Sequence, residues 1–147
     1  GVEGGSYGGQ LSAWLVTQTH IFKAAIPLAP IINLVSYNYM TYYNMYEQMT
    51  FGVLPHQGTV MDEMWKRSSL RYVAQVKTPV MLLHGENDND VCIAESEQFY
   101  IGLKDVGVDT VMVRYPREGH GLRETRHIVD SIDRSIRWYE RYFPKKP

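Results

Sequence analysis

An α/β chain built on a mostly parallel sheet is predicted from three observations. Compact apolar runs at 24–30 and 78–85 and a β-branched run at 108–115 alternate with segments of helical periodicity. The stretch Gly4-Gly5-Ser6-Tyr7-Gly8-Gly9 lies between a strand-like stub and a helical segment. Polar loops follow two of the strands, at 86–90 and 117–121, where functional side chains of a parallel sheet gather.

The elements follow in order. Gly1-Val2-Glu3 reads as the end of an incoming strand, and Gln10 to Val16 as a helix with Leu11, Trp14 and Leu15 on one face. Ala24 to Pro30 is short, apolar and closed by proline, which suits a buried parallel strand beside the first. Residues 31–65 lack strand alternation and carry Tyr37, Tyr39, Tyr42, Tyr43 and Tyr46 among polar residues; they are expected as helices and loops over the sheet edge. Thr78 to Gly85 is the next strand, ending in Glu86-Asn87-Asp88-Asn89-Asp90. A helix from about Ile93 to Lys104 leads to a strand from Val108 to Tyr115, which Pro116 stops before Arg117-Glu118-Gly119-His120-Gly121. The last helix, roughly Glu124 to Tyr142, sets Ile128, Ile132, Ile136 and Tyr139 along one face.

Composition narrows the class. At 147 residues the chain is one domain's worth, and 44% hydrophobic residues with net charge −1 describe an ordinary globular protein. Lys and Arg are dispersed apart from Lys145-Lys146, so no phosphate-binding surface is expected, and no apolar run approaches membrane-spanning length. Cys92 is the single cysteine, which excludes an internal disulfide and a multi-cysteine metal site. His20, His56, His84, His120 and His127 show no metal-ligand spacing.

Gly4-x-Ser6-x-Gly8 has the form of a nucleophile elbow, in which a serine on a strained strand-to-helix turn is raised above a sheet. The Tyr7 N–H would supply one oxyanion donor. A serine hydroxyl needs a base to take its proton and a carboxylate to orient that base. His120, between two glycines that permit an unusual backbone conformation, is the expected base. Glu86, Asp88 and Asp90 share one loop, and any of them gives the chain order Ser, acid, His used by α/β-hydrolases. His84 is expected in a structural hydrogen bond, His127 exposed on the last helix, and Cys92 as a small packing residue.

Gly4-Gly5-Ser6-Tyr7-Gly8-Gly9, His84-Gly85-Glu86-Asn87-Asp88-Asn89-Asp90-Val91 and Arg114-Tyr115-Pro116-Arg117-Glu118-Gly119-His120-Gly121 together resemble the catalytic domain of the prolyl oligopeptidase family, in its acylaminoacyl-peptidase and dipeptidyl-peptidase-like branch. The resemblance runs over nearly the whole chain. It implies an α/β-hydrolase fold, Ser6 as nucleophile, Asp88 as the orienting carboxylate, His120 as base, and hydrolysis of short peptides through an acyl-enzyme. It implies no metal or organic cofactor. Tyr7 and Val91 are implied to line the pocket for the residue before the scissile bond, with tyrosines of the 37–43 segment, Tyr42 among them.

Cys92 stands where the family usually has proline, a change in loop stiffness more than chemistry. Residues 1–147 are then expected to be the C-terminal part of a peptidase catalytic domain, beginning at the strand before the elbow. The loop giving a second oxyanion donor and any β-propeller would lie upstream. A short peptide is the expected partner, with no nucleic acid and no membrane, self-association through the hydrolase domain, and a cytoplasmic location. The alternatives are a carboxylic-ester hydrolase of the same fold and a non-catalytic hydrolase-fold interaction module.

Overall fold

The computed structural model describes residues 1–143. Four parallel strands, β1 (Val2–Gly5), β2 (Ala25–Leu28), β3 (Val80–Gly85) and β4 (Thr110–Tyr115), form one sheet in the order β1-β2-β3-β4. Val2 stands beside Ala25, Leu28 beside Leu83, and Gly85 beside Tyr115. Pro27 interrupts the β2–β3 ladder because it has no N–H. The bonds Ala25 N–H to Pro79 O and Ala29 N–H to Leu83 O flank the gap, both at 2.9 Å.

β3 is buried along its whole length, as expected of a strand covered on both faces. Its side chains alternate. Val80 and Leu82 join Ala13, Val16, Phe99 and Leu103 beneath α1 (Tyr7–Gln18) and α5 (Ala94–Asp105). Met81 and Leu83 join Ile26, Tyr115 and Trp138 beneath α6 (Thr125–Tyr142). Full burial of one such leucine contributes about 2 kcal/mol.

Two amphipathic readings turn around here. α1 buries Ser12, Ala13 and Val16, small enough for helix and sheet to approach closely, and leaves Leu11 (44%) and Leu15 (37%) exposed. On α6 the buried anchor is Trp138, while Ile132 and Ile136 stay more than half exposed.

Between β2 and β3 lie α2 (Leu34–Met40), α3 (Met45–Phe51), α4 (Val60–Lys66) and a 3-10 segment, Ser69–Gln75. Asn33 caps α2 by accepting the Val35 and Ser36 N–H groups. Leu34, Tyr37 and Met64 pack on Val91, in the loop after β3. This segment therefore stands over the C-terminal ends of the strands and not along the sheet edge. Buried Glu95 of α5 holds it there, accepting the N–H groups of Ile32 (2.8 Å) and Asn33 (2.7 Å).

Candidate active site

Ser6 follows β1 and precedes α1 with φ 57° and ψ −119°, a conformation that strains a residue with a Cβ by about 1–3 kcal/mol. Its N–H donates to Leu28 O (3.0 Å) and its carbonyl accepts the Gln10 N–H (2.9 Å), so both sides of the turn are anchored. A Cβ on Gly4 would lie 2.7 Å from the Gly8 backbone, which is why strand and helix approach this closely only with glycine there. Gly8, by contrast, has open space about it.

Asp88 follows β3, and its side chain is fully buried. Oδ1 accepts the N–H groups of Asp90 and Val91, each at 2.9 Å, and Oδ2 accepts from His120 Nδ1 at 2.8 Å and His84 Nε2 at 3.2 Å. Burial pushes this carboxyl up, but the bonds from His84, the Val91 N–H and His120 together hold it below the usual aspartate range. Every oxygen lone pair has a donor, so the carboxylate has one orientation.

His84 shapes this arrangement from beneath. Its Nε2 lies 2.8 Å from the Val91 carbonyl, which only accepts, so Nε2 carries the hydrogen. Nδ1 then accepts from Ser96 Oγ at 2.7 Å. The ring ties β3, the acidic loop and α5 together.

For His120 the same logic places a hydrogen on Nδ1, facing Asp88, and leaves Nε2 of the neutral ring with a free lone pair. The flanking glycines are not what aims it. Neither Gly119 nor Gly121 has a positive φ; the left-handed residue of the loop is Arg117, at φ 68°. The close approach is at Gly85, where a Cβ would strike the Gly119 and Glu118 carbonyls. Beyond the loop, Glu118 accepts the N–H groups of Arg123 (2.8 Å) and Glu124 (2.9 Å) and bonds His127 Nδ1 (2.8 Å), fixing the entry to α6. His127 is thus largely covered and not the exposed residue expected. Glu118, Glu124 and His127 cluster closely enough for a cation, but their atoms are taken up by these bonds and by Arg117, which pairs with Glu124 at 2.8 Å.

A cavity of about 450 Å³ opens at the C-terminal end of the sheet, lined by Ser6, Tyr7, Tyr42, Asp90, Val91 and His120 among others. Ser6 and His120 also line a smaller one of about 280 Å³. No hydrogen bond joins these two side chains among the described residues. Tyr42 reaches the cavity because its segment is tied to the acidic loop: Thr41 Oγ1 donates to Asp90 O at 2.6 Å, and the Tyr42 N–H to Asn89 O at 3.3 Å. Tyr37, Tyr43 and Tyr46 line the cavity too, with Met45 and Met49. Tyr39 turns away toward His56. Sequence patterns flagged none of the supports, Glu95, Glu118 or the Gly85 contact, since each acts between distant segments.

The profile of the Prolyl oligopeptidase family matches residues 1–146. The chain is 39% identical over 135 residues to a Bacillus subtilis (strain 168) protein named uncharacterized peptidase YuxL, covering 91% of this chain and 20% of that one. To the acylamino-acid-releasing enzyme of Mus musculus it is 32% identical over 142 residues, 92% of this chain and 19% of that one. Among solved structures, a puromycin-hydrolyzing peptidase of Mycobacterium tuberculosis superposes with TM-score 0.90 at 30% identity, over 99% of this chain and 22% of that one. An acylaminoacyl peptidase of Pyrococcus horikoshii gives TM-score 0.86 at 26% identity, over 99% and 24%. The sheet and its helices correspond to part of an α/β-hydrolase domain. The chain spans about a fifth of the length of the curated relatives it matches.

Proposed function

The chain belongs to the prolyl oligopeptidase family, and on that premise we propose that it carries the catalytic triad of a serine peptidase acting on short peptides. The observation behind the proposal is the 2.8 Å Asp88–His120 hydrogen bond beside the cavity that Ser6 lines. Ser6 Oγ attacks the peptide carbonyl carbon while His120 Nε2 takes the hydroxyl proton, and Asp88 stabilises the resulting imidazolium. The Tyr7 N–H, which opens α1 and has no intrahelical acceptor, donates to the oxyanion. The C–N bond breaks as His120 returns its proton to the leaving amine. Water, deprotonated by His120, then cleaves the acyl-enzyme to a carboxylate and restores Ser6.

Tyr7, Val91 and Tyr42 are proposed to hold the side chain before the scissile bond, in a cavity walled by aromatic rings and thioethers. No helix among the described residues is long and apolar enough to cross a membrane. A cytoplasmic location is proposed, with which the single cysteine, Cys92, is compatible. Self-association is proposed from the exposed apolar positions of α1 and α6, and sedimentation would test it.

A fluorophosphonate probe tests the triad. Labelling located at Ser6 by peptide mass spectrometry, and lost in Ser6→Ala and His120→Ala, is expected; equal labelling of His120→Ala would overturn the assignment of the base. The open, apolar cavity also suits esters, so rates on a peptide anilide and a short-chain ester separate a peptidase from a carboxylic-ester hydrolase.

A further inference from the structure

A second cavity, of about 420 Å³, adjoins the first, and Tyr7 and Tyr46 line both. Two residues that line this second cavity carry buried side-chain oxygens with no hydrogen-bond partner among the described residues: Gln10, at Oε1, on α1, and Glu47, at both carboxylate oxygens, on α3. Glu47 is 1% exposed. A buried carboxylate without donors is strongly unfavourable. Once Glu47 is ionised all three atoms are acceptors, so the group they call for is a donor carrying positive charge.

Among the described residues no side chain supplies one. Arg67 lines the cavity, but Glu63 engages it through two contacts of 2.9 Å. The other ionisable groups about Glu47 are the Glu95 carboxyl and the phenols of Tyr7, Tyr37 and Tyr46, none of them cationic.

We propose that this cavity is a subsite for a primary alkylammonium group, held by Glu47 and Gln10, and that it receives the ammonium of a peptide bound in the adjoining cavity. The second clause rests on the peptidase reading. A primary ammonium offers N–H donors and no acceptor, the complement of the unpartnered Gln10 and Glu47 oxygens. Leu11, Trp14 and Phe51 on the same walls suit its alkyl stem and offer aromatic faces to the charge. Burial, reinforced by the Glu95 carboxylate, pushes Glu47 up to about 7, so the subsite gains its negative charge as pH passes neutrality.

The test is an NMR titration of the full chain with n-butylammonium chloride at pH 6 and pH 8, with 1-butanol as the neutral control. Butylammonium is expected to bind about tenfold more tightly at pH 8, following ionisation of a group near 7. Glu47→Gln should abolish that pH dependence, and Gln10→Ala should weaken binding at pH 8 several-fold. The wild-type profile and the butanol control decide the matter even if a variant fails to fold. Equal affinity at both pH values, equal binding of 1-butanol, or no binding at all would overturn the subsite. Competition with glycinamide and with Nα-acetyl-lysine amide distinguishes a peptide's α-ammonium from a lysine side chain; displacement by neither also overturns it. Fluorophosphonate labelling of Ser6 runs separately. Labelling without ammonium binding removes the subsite alone, and ammonium binding without labelling removes the peptidase reading alone.

Discussion

Gly4 and Gly8 occupy equivalent places in the Gly-x-Ser-x-Gly pattern, yet they face different constraints. A methyl at Gly4 meets the Gly8 backbone at 2.7 Å, whereas one at Gly8 meets nothing within 4 Å. Gly4→Ala is therefore expected to lower stability by about 2–4 kcal/mol, and Gly8→Ala, inside α1, to be neutral or to raise it by up to about 1 kcal/mol. Urea midpoints of the two variants check this, and similar midpoints would refute the steric account. Asp88→Asn would set its NH2 donor either against the His84 and His120 rings, which share Oδ2, or against the Asp90 and Val91 N–H groups that Oδ1 accepts, and so disturb the His120 tautomer or the loop that holds it. Acylation of Ser6 by the fluorophosphonate should slow by about 10³–10⁴-fold while the fold persists. The pattern was legible at this scale because the residues around Ser6, Asp88 and His120 form short local motifs. The strain at Arg117 was not, since nothing in an arginine advertises a left-handed φ.

Among the elements, α5 does more than cover the sheet. From its first turn, Glu95 holds the start of the β2–β3 crossover by two backbone N–H groups, and Ser96 holds the His84 ring. Glu95→Ala would leave the Ile32 and Asn33 N–H groups buried without acceptors, a loss of about 3–5 kcal/mol. Glu95→Gln keeps one acceptor oxygen and should lose about half as much; chemical denaturation of the pair reads the difference. The four strands and α1, α5 and α6 were legible from apolar runs and periodicity, to within a few residues at each end, whereas α2, α3 and α4 were read only as helices and loops and the 3-10 segment was not read. Buried faces were less legible. The regular apolar spacing of Leu11, Trp14 and Leu15 marks a helix, but contact with the strands selects the small residues Ala13 and Val16.

The whole molecule carries buried carboxyls of two kinds, and they act oppositely on stability. Glu47, raised from about 4.5 to about 7, keeps its proton in the folded state where the unfolded chain has lost it. The unfolded state binds fewer protons in that window, so this contribution is present below about 4.5 and is lost as pH rises through about 7. Asp88 is held low, so its contribution is present above the ordinary aspartate value and is lost as pH falls below it. Glu47→Gln should therefore gain on the wild type between pH 5 and pH 8, by on the order of 2 kcal/mol in unfolding free energy. Parallel urea unfolding at the two pH values measures it. A constant difference between the proteins would show that Glu47 is ionised at both.

By itself the sequence determined the parallel α/β class and the succession of its four strands, and it set Ser6, His120 and the acids Glu86, Asp88 and Asp90 in strand-end loops, among which family resemblance singled out Asp88. Those are carried by local signals: short apolar runs, helical spacing, and loops rich in glycine and acid. Only the tertiary structure decided which atoms of Asp88 hold His120, which tyrosines reach the cavity, and that Glu47 is buried without a donor. These depend on contacts between segments dozens of residues apart, and burial is set by what packs over a side chain and not by its neighbours in the chain.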